Sequence, residues 1–216
     1  MNDKWIIGVD IGGTWIRVAL SPLSLSEEHM YHETTRNTRK SEYTVSTLTC
    51  KLAKKLLSDH GVEQEDLLGM GLASAGPLDL DDGIIFNNAN LGFERIPLKE
   101  PISQEFPGIP IYLINDCNAA VLGVHFFEAE EKERNNLVYI TMSTGIGGGV
   151  ICNGHLVLGK DGNAAEIGHG LVEPRSKLQC NCGAHGCWEV YSSGTGIRKR
   201  AISALEGGKL DGKALL

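Results

Sequence analysis

The sequence contains no apolar run of the roughly 20 residues that a membrane-spanning helix requires. Its first apolar run is short and is interrupted by Asp10, which is not the pattern of a signal peptide. Basic residues are too few for a broad nucleic-acid-binding surface, since 20 Lys and Arg stand against 27 Asp and Glu and the net charge is -7. We therefore expect a cytoplasmic protein that binds neither membranes nor nucleic acids.

Several catalytic motifs are also missing. The chain has neither the Gly-x4-Gly-Lys-[Ser/Thr] pattern of P-loop enzymes nor the Gly-x-Gly-x-x-Gly pattern of Rossmann dehydrogenases. It contains no Gly-x-Ser-x-Gly nucleophile elbow and no His-Glu-x-x-His zinc motif. These absences argue against P-loop enzymes, Rossmann dehydrogenases, serine hydrolases and zincins.

The chain carries enough apolar side chains to fold without disulfide bonds. Hydrophobic residues make up 42% of its 216 residues, which is enough for one large domain or two small ones. Three of the six cysteines are scattered among apolar neighbours, and we expect them to pack in the core. These three are Cys50, Cys117 and Cys152.

The other three cysteines form a tight cluster. Cys180, Cys182 and Cys187 lie within eight residues of the sequence. In a reducing compartment such a cluster is typical of a metal site rather than of disulfide bonds. His169 is the expected fourth ligand, and His185 is the alternative. Four Cys and His ligands would saturate a Zn²⁺ ion and leave no position for water, which indicates a structural role.

Hydrophobic patterning predicts alternating strands and helices. Residues 6–11 and 15–20 are predicted to form a β-hairpin, and residues 43–59 a helix that ends at Gly61. Further strands are predicted at 29–35, 67–73, 111–114 and 137–142, and further helices at about 119–130 and 197–205. Such alternation indicates the α/β class.

Two glycine-rich turns follow predicted strands, at residues 10–14 and 143–149. Glycine lets backbone N–H groups approach an anion closely, and the threonine in each turn adds a hydroxyl donor. Asp10 could hold a hydrated Mg²⁺ ion. A plain hairpin turn would explain one such segment equally well, but two of them favour a phosphate-binding site.

The pair Asn115-Asp116 follows a predicted buried strand. Ligands gather at the carboxyl ends of strands in open α/β sheets, so a carboxylate there could accept the proton of an attacking hydroxyl during phosphoryl transfer. The alternative is that Asp116 caps the following helix. Position alone does not favour either interpretation.

Six short motifs occur in order along the chain. They are Asp10-x-Gly-Gly-Thr14, Asn90-Leu91, Asn115-Asp116-x-Asn118-Ala-Ala, Thr144-Gly-x-Gly-Gly-Gly, Glu166-x-Gly-His169 and Cys180-x-Cys-Gly-x-x-Gly-Cys187-x-Glu189. Together they resemble the ROK family of sugar kinases and repressors, from residue 6 to about 194. The resemblance implies the actin-like, ribonuclease-H-like two-lobed fold. Residues 1–118 would form the N-terminal lobe, and residues 119–216 the start of a C-terminal lobe that we expect to be truncated.

The resemblance also implies roles for individual residues. Asp116 would be the general base that takes the proton of the sugar hydroxyl. The first phosphate loop would comprise Asp10, Gly12, Gly13 and Thr14, and the second Thr144, Gly145, Gly147 and Gly148. The sugar hydroxyls would be bound by Asn90, Asn115, Glu166, His169 and Glu189. The structural zinc ligands would be His169, Cys180, Cys182 and Cys187, which favours His169 over His185.

The implied activity is ATP- and Mg²⁺-dependent phosphorylation of a hexose, with glucose and glucose 6-phosphate as the expected substrate and product. Fructose and N-acetylhexosamines are alternative substrates, because the segment from Ala89 to Phe93 lacks both prolines that the family usually has there. Alternatives of another class are a sugar-responsive regulator and an inactive fragment that binds only sugar and zinc. The first predicted strand begins too early for the N-terminal DNA-binding region of the repressors. The resemblance further implies a homo-oligomer.

Overall fold

The computed structural model describes residues 4–25, 27–88 and 91–207. The chain divides into two compact units. Unit 1 comprises Met1–Ala119 and Leu158–Asn163, and unit 2 comprises Ala120–Val157 and Ala164–Leu216. The division into family lobes between residues 118 and 119 stays a prediction.

Strands and helices alternate along much of the chain, in agreement with the predicted α/β class. The strands are β1 (Trp5–Ile11), β2 (Trp15–Pro22), β3 (Tyr31–Arg36), β4 (Leu67–Ser74), β5 (Leu78–Asp79), β6 (Ile84–Asn88), β7 (Phe93–Pro97), β8 (Ile111–Asn115), β9 (Asn136–Met142), β10 (Ile146–Cys152) and β11 (His155–Leu156). The α-helices are α1 (Thr44–His60), α2 (Lys99–Glu105), α3 (Asp116–Gly123), α4 (Trp188–Ser192) and α5 (Gly194–Glu206). Single 3-10 turns occur at Glu27–His29, Gln64–Asp66, Lys160–Gly162 and Ile167–His169, and a π-helical turn, Val124–Glu128, follows α3. None of the described helices is long and apolar enough to span a membrane.

A five-stranded sheet with the order β3-β2-β1-β4-β8 forms the centre of unit 1. Strand β1 pairs antiparallel with β2 and parallel with β4, which in turn pairs parallel with β8. Alternate residues of a strand share a face, and Ile7, Val9 and Ile11 on one face of β1 are all buried. Helix α1 contributes Leu52 and Leu56 to the same apolar cluster. A smaller antiparallel sheet has the order β5-β6-β7.

The three parallel strands of unit 1 end at the same edge of the sheet. Ile11 of β1 pairs with Ser74 of β4, and Ser74 pairs with Asn115 of β8. The first glycine-rich turn and Asp116 therefore follow the ends of strands in one continuous parallel array. This is the edge at which open α/β sheets place ligand-binding segments.

Helix boundaries agree with the predictions at α1 and differ at α3. The residue after α1 is Gly61, as predicted, and its φ of 65° is in the left-handed region that glycine adopts readily. Helix α3 begins at Asp116, three residues before the predicted start. The reason is that the Asn115 side chain accepts hydrogen bonds from the N–H groups of Cys117 and Asn118, which stabilises the first helical turn.

Unit 2 contains an antiparallel sheet with the order β11-β10-β9. The glycine-rich turn predicted over residues 143–149 is shorter than expected, because β10 already begins at Ile146. A Cβ atom on Gly148 would lie 2.8 Å from Cδ1 of Ile167, so this glycine allows close packing within the strand. The prediction that Cys152 packs in the core is wrong, since it is exposed at the end of β10, whereas Cys50 and Cys117 are buried as predicted.

Candidate functional site

The first glycine-rich turn, residues 10–14, makes hydrogen bonds with Trp15 and Asn37, which both belong to unit 1. The Gly12 N–H donates to the Trp15 carbonyl at 2.9 Å, which closes the hairpin between β1 and β2. The Asn37 side chain donates to the Gly12 carbonyl at 3.3 Å, and its own N–H donates to the Thr14 carbonyl at 2.8 Å. Asn37 is buried, and the sequence did not predict its contacts, because it belongs to none of the six motifs.

Asp10 already has a cationic partner in this turn. Its Oδ2 lies 2.6 Å from Nη1 of Arg17, directly opposite on β2, and both side chains are about half exposed. An exposed pair of this kind contributes about 1 kcal/mol or less to stability. A Mg²⁺ ion at Asp10 would therefore share the carboxylate with Arg17 or displace it at small cost.

At the end of β8, Asn115 caps helix α3 and Asp116 provides a carboxylate. Asn115 Oδ1 accepts from the N–H groups of Cys117 at 2.9 Å and Asn118 at 3.3 Å, so Asn115 is a capping residue of α3. Asp116 Oδ1 also accepts from the Cys117 N–H, at 2.8 Å. Among the described residues, the buried Asn118 Oδ1 has no hydrogen-bond partner. The geometry thus gives the capping role mainly to Asn115, while the catalytic role of Asp116 stays a prediction.

The predicted sugar-binding residue Asn90 lies outside the described residues. The residues on either side of this segment are firmly placed in unit 1. The Asn88 side chain donates to the carbonyls of Ala75 at 2.9 Å and Gly76 at 3.2 Å, and Leu91 is buried. The contacts of Asn88 attach it to the chain that follows β4, at the carboxyl ends of the parallel strands.

Unit 2 brings the four predicted metal ligands together. The ligand atoms of His169, Cys180, Cys182 and Cys187 all lie within 4.8 Å of one another. Cys180 Sγ lies 3.5 Å from His169 Nδ1, and Cys182 Sγ lies 3.6 Å from Cys187 Sγ. Tetrahedral sulfur ligands about 2.3 Å from Zn²⁺ lie about 3.8 Å from one another, so these spacings fit zinc. The alternative ligand His185 is not part of this group.

The thiols of the cluster differ in acidity. Burial, together with hydrogen bonds to Cys182 and Cys180, raises the pKa of Cys187 to about 12. The pKa of Cys182 is lowered, chiefly by a hydrogen bond from the backbone of Ala184. A buried thiol such as Cys187 ionises readily only when a cation compensates its charge, and a bound metal would supply that compensation.

His169 has different neighbours at its two ring nitrogens. Its Nδ1 faces Cys180, whereas its Nε2 lies 3.8 Å from Oε2 of Glu166. A metal on Nδ1 would leave Nε2 for Glu166 or for a ligand hydroxyl. The arrangement therefore fits the predicted double role of His169, in which each nitrogen serves one partner.

The predicted second phosphate loop and Glu189 lie together in unit 2. Glu189 Oε2 accepts from the Ile146 N–H at 2.9 Å, directly after Gly145. The Ser143 and Thr144 carbonyls accept from the N–H groups at the start of α5, at 2.8 Å and 3.3 Å. The contact between Glu189 and the loop was not predicted, because its partners lie 43 residues apart in sequence.

Comparison with known proteins extends over nearly the whole chain. A family model described as the ROK family matches residues 6–215. The chain is 36% identical over 206 residues to a glucokinase of Halalkalibacterium halodurans, which covers 95% of this chain and 61% of that protein. It is also 30% identical over 196 residues to the xylose repressor of Bacillus subtilis, covering 89% of this chain and 49% of the repressor.

Solved structures are similar over the same region. A ROK hexokinase from Thermus thermophilus has a TM-score of 0.77 at 28% identity and covers 94% of this chain and 64% of its own. A ROK family glucokinase from Streptomyces griseus, solved with glucose and AMPPNP, has a TM-score of 0.71 at 32% identity, with coverage of 94% and 62%. This chain thus spans less than two thirds of the length of these relatives.

Proposed function

Since the chain belongs to the ROK family, we propose that it is the sugar- and phosphate-binding part of a kinase that transfers a phosphoryl group from ATP to a hexose hydroxyl. Its fold is the actin-like, ribonuclease-H-like α/β fold of that family. Glucose is the proposed substrate and glucose 6-phosphate the product. The relatives named glucokinase support this choice, at 36% identity in two species.

The observation that carries the proposal is the register of the parallel strands in unit 1. It fixes Asp116 and the turn after Asp10 at one edge of one sheet, because Ile11, Ser74 and Asn115 are paired in a row. A base for the attacking hydroxyl and a phosphate-binding turn are the two parts that phosphoryl transfer requires close together. Position on a rigid sheet, rather than covalent chemistry, would supply most of the catalysis.

Each predicted residue has a proposed task within its own unit. Asp116 orients the sugar hydroxyl and accepts its proton, while the N–H groups around Gly12 and Gly13 and the Thr14 hydroxyl bind phosphate oxygens. When bound with the nucleotide, Mg²⁺ would neutralise phosphate charge, and Asp10 is its proposed ligand. In unit 2, the proposed second phosphate-binding segment comprises Thr144 and Gly145 of the turn and Gly147 and Gly148 at the start of β10. The proposed sugar ligands are Asn90, Asn115, Glu166, His169 and Glu189.

The four-residue Cys and His cluster has a proposed structural role. Its ligands would hold Zn²⁺ and fix the segment that carries Glu166 and Glu189. No ligand position remains for water or substrate when His169, Cys180, Cys182 and Cys187 all bind. The metal is therefore assigned to the folding of unit 2 and not to the transfer step.

Replacement of the base tests the proposal. Asp116→Asn preserves the side-chain shape and removes the proton acceptor, so sugar-dependent ADP release should fall at least about 100-fold, the contribution typical of a general base. Asp82→Asn, an exposed aspartate outside the site, is the matched control and should retain wild-type turnover. The assay is a coupled kinase assay with glucose, fructose and N-acetylhexosamines. Near-normal turnover in Asp116→Asn would contradict the assignment.

A regulator is the second candidate, because xylose repressors are among the relatives at 31% and 30% identity. A regulator would bind sugar without transferring phosphate. Calorimetric binding of a sugar together with no ADP release from the full-length protein would favour it. The homo-oligomeric state implied by the family is a separate proposal, which sedimentation velocity can test.

A further inference from the structure

The Glu189 carboxylate is built into the second glycine-rich turn. Its Oε2 accepts from the Ile146 N–H at 2.9 Å, which is the first N–H of β10. A Cβ atom added to Gly145 would lie only 2.6 Å from the same oxygen. The turn and the carboxylate therefore fit against each other so closely that residue 145 has no room for a side chain.

The segment that follows Glu189 also hydrogen-bonds to the turn. The Gly194 N–H donates to the Ser143 carbonyl at 2.8 Å, and the Thr195 N–H donates to the Thr144 carbonyl at 3.3 Å. Glu189 itself lies in the first turn of α4, whose Trp188 N–H donates to the Gly170 carbonyl at 2.9 Å. Residues 189–195 thus make hydrogen bonds to Ser143, Thr144 and Ile146, and Glu189 supplies the charged group among these contacts.

We propose that Glu189 is a positioning residue for the second phosphate loop and that it couples sugar binding to nucleotide binding within unit 2. The coupling rests on the proposed function, in which Glu189 also binds a sugar hydroxyl. A carboxylate has two oxygens and about four acceptor sites, so it can serve the Ile146 N–H and a hydroxyl at once. A bound sugar restricts the motion of the Glu189 carboxylate, and the carboxylate restricts the motion of the turn. The nucleotide phosphates then bind to a loop that is already ordered.

This arrangement predicts that sugar and nucleotide increase each other's affinity. Ordering the loop in advance removes part of the entropy cost of binding the nucleotide, so sugar should increase nucleotide affinity. Because coupling between two binding equilibria is reciprocal, nucleotide should increase sugar affinity by the same factor. Couplings of this kind usually amount to about fivefold or more.

Amide hydrogen exchange of the full chain tests the positioning role without requiring activity. Glu189→Ala should accelerate exchange of the Ile146 N–H by about fivefold to tenfold, the equivalent of one lost hydrogen bond. Glu189→Gln keeps a carbonyl acceptor and should retain most of the protection. Gly145→Ala should lose it, whereas Gly123→Ala, with open space around its Cβ position, is the matched control. Unchanged Ile146 exchange in folded Glu189→Ala would overturn the proposal.

Calorimetry with AMPPNP, with and without saturating glucose, tests the coupling. The wild-type chain should bind AMPPNP about fivefold more tightly with glucose. Gly145→Ala should lose this enhancement at glucose concentrations that saturate the variant, because its methyl group would lie 2.6 Å from the Glu189 carboxylate and displace the turn. An equal enhancement in Gly145→Ala and wild type would overturn the coupling. If glucose does not bind at all, the proposed function and the coupling both fail, while the exchange data still decide the positioning role.

Discussion

The two units are stabilised in different ways. The main cluster of buried apolar residues runs from Ile7 to Leu113 and lies entirely in unit 1. In the described part of unit 2, the buried apolar residues are Val121, Ile146, Ile151 and the cluster thiols Cys180 and Cys187. Strand β9 also exposes large apolar side chains on alternate residues, namely Val138, Ile140 and Met142. Unit 1 therefore depends on apolar burial, whereas the described part of unit 2 buries few apolar side chains, and metal binding by its Cys and His cluster is proposed to stabilise it.

Metal removal should produce the largest difference between the units. Zinc binding contributes on the order of 10 kcal/mol to folding in small zinc domains, more than any single side chain discussed here. A strong zinc chelator should abolish amide protection around residues 169–193 while protection in β1 and β4 persists. Hydrogen exchange read by mass spectrometry measures both units in one sample.

Cysteine variants provide the control for chelation. Cys182→Ser removes one predicted ligand and should reproduce the chelator effect without any chelator. Cys152→Ser alters an exposed cysteine outside the cluster and should leave exchange and metal content unchanged. Equal loss of protection in both units, or a metal content far below one zinc per chain, would contradict the proposed difference in how the two units are stabilised.

A cavity in the core should produce the next largest effect, and in unit 1. Leu72 is fully buried in β4, so Leu72→Ala should destabilise unit 1 by about 2–5 kcal/mol. Leu68→Ala in the same strand is the matched control, because Leu68 is 43% exposed and its truncation should cost about 0.5 kcal/mol or less. Urea unfolding followed by amide exchange in β1 and β4 measures the difference. A comparable loss for both variants would mean that apolar burial does not dominate unit 1.

More of unit 1 than of unit 2 could be predicted from the sequence, because unit 1 is built largely from local apolar patterns. Alternating apolar residues and the left-handed Gly61 are local features, so they located the β1–β2 hairpin and helix α1 without knowledge of distant contacts. The spacing of Cys180, Cys182 and Cys187 indicated the cluster, and the family resemblance favoured His169 over His185 as its fourth member. The pairing of Glu189 with Ile146 was not predictable, because it depends on a contact between distant segments. Likewise, the Asn37 side chain reaches Gly12 only in the folded sheet.

Ionisation of the buried Cys50 thiol in unit 1 should reduce the stability of the protein at high pH. Burial, together with the nearby Glu105 carboxylate, raises the pKa of Cys50 from an ordinary value of 9.0 to about 11. The folded state binds this proton more tightly, so the contribution is complete below pH 9 and is lost as the pH rises towards 11. Wild type should lose up to about 2 kcal/mol more than Cys50→Ala over this range. Cys152→Ala should follow wild type, and parallel curves for wild type and Cys50→Ala would contradict the expectation.

The smallest effect should come from the surface charges of unit 1. Lys55 on α1 lies 2.5 Å from Glu33 and 2.6 Å from Asp59, and its pKa is raised chiefly by the hydrogen bond to Asp59. About a third of the Glu33 side chain and about half of the Lys55 and Asp59 side chains are exposed, and solvent and salt weaken their attraction. Asp59→Asn should therefore cost about 0.5 kcal/mol or less, and 1 M salt should remove even that difference. If urea unfolding shows a loss comparable with that of Leu72→Ala, charge pairing and not the apolar core would distinguish unit 1 from unit 2.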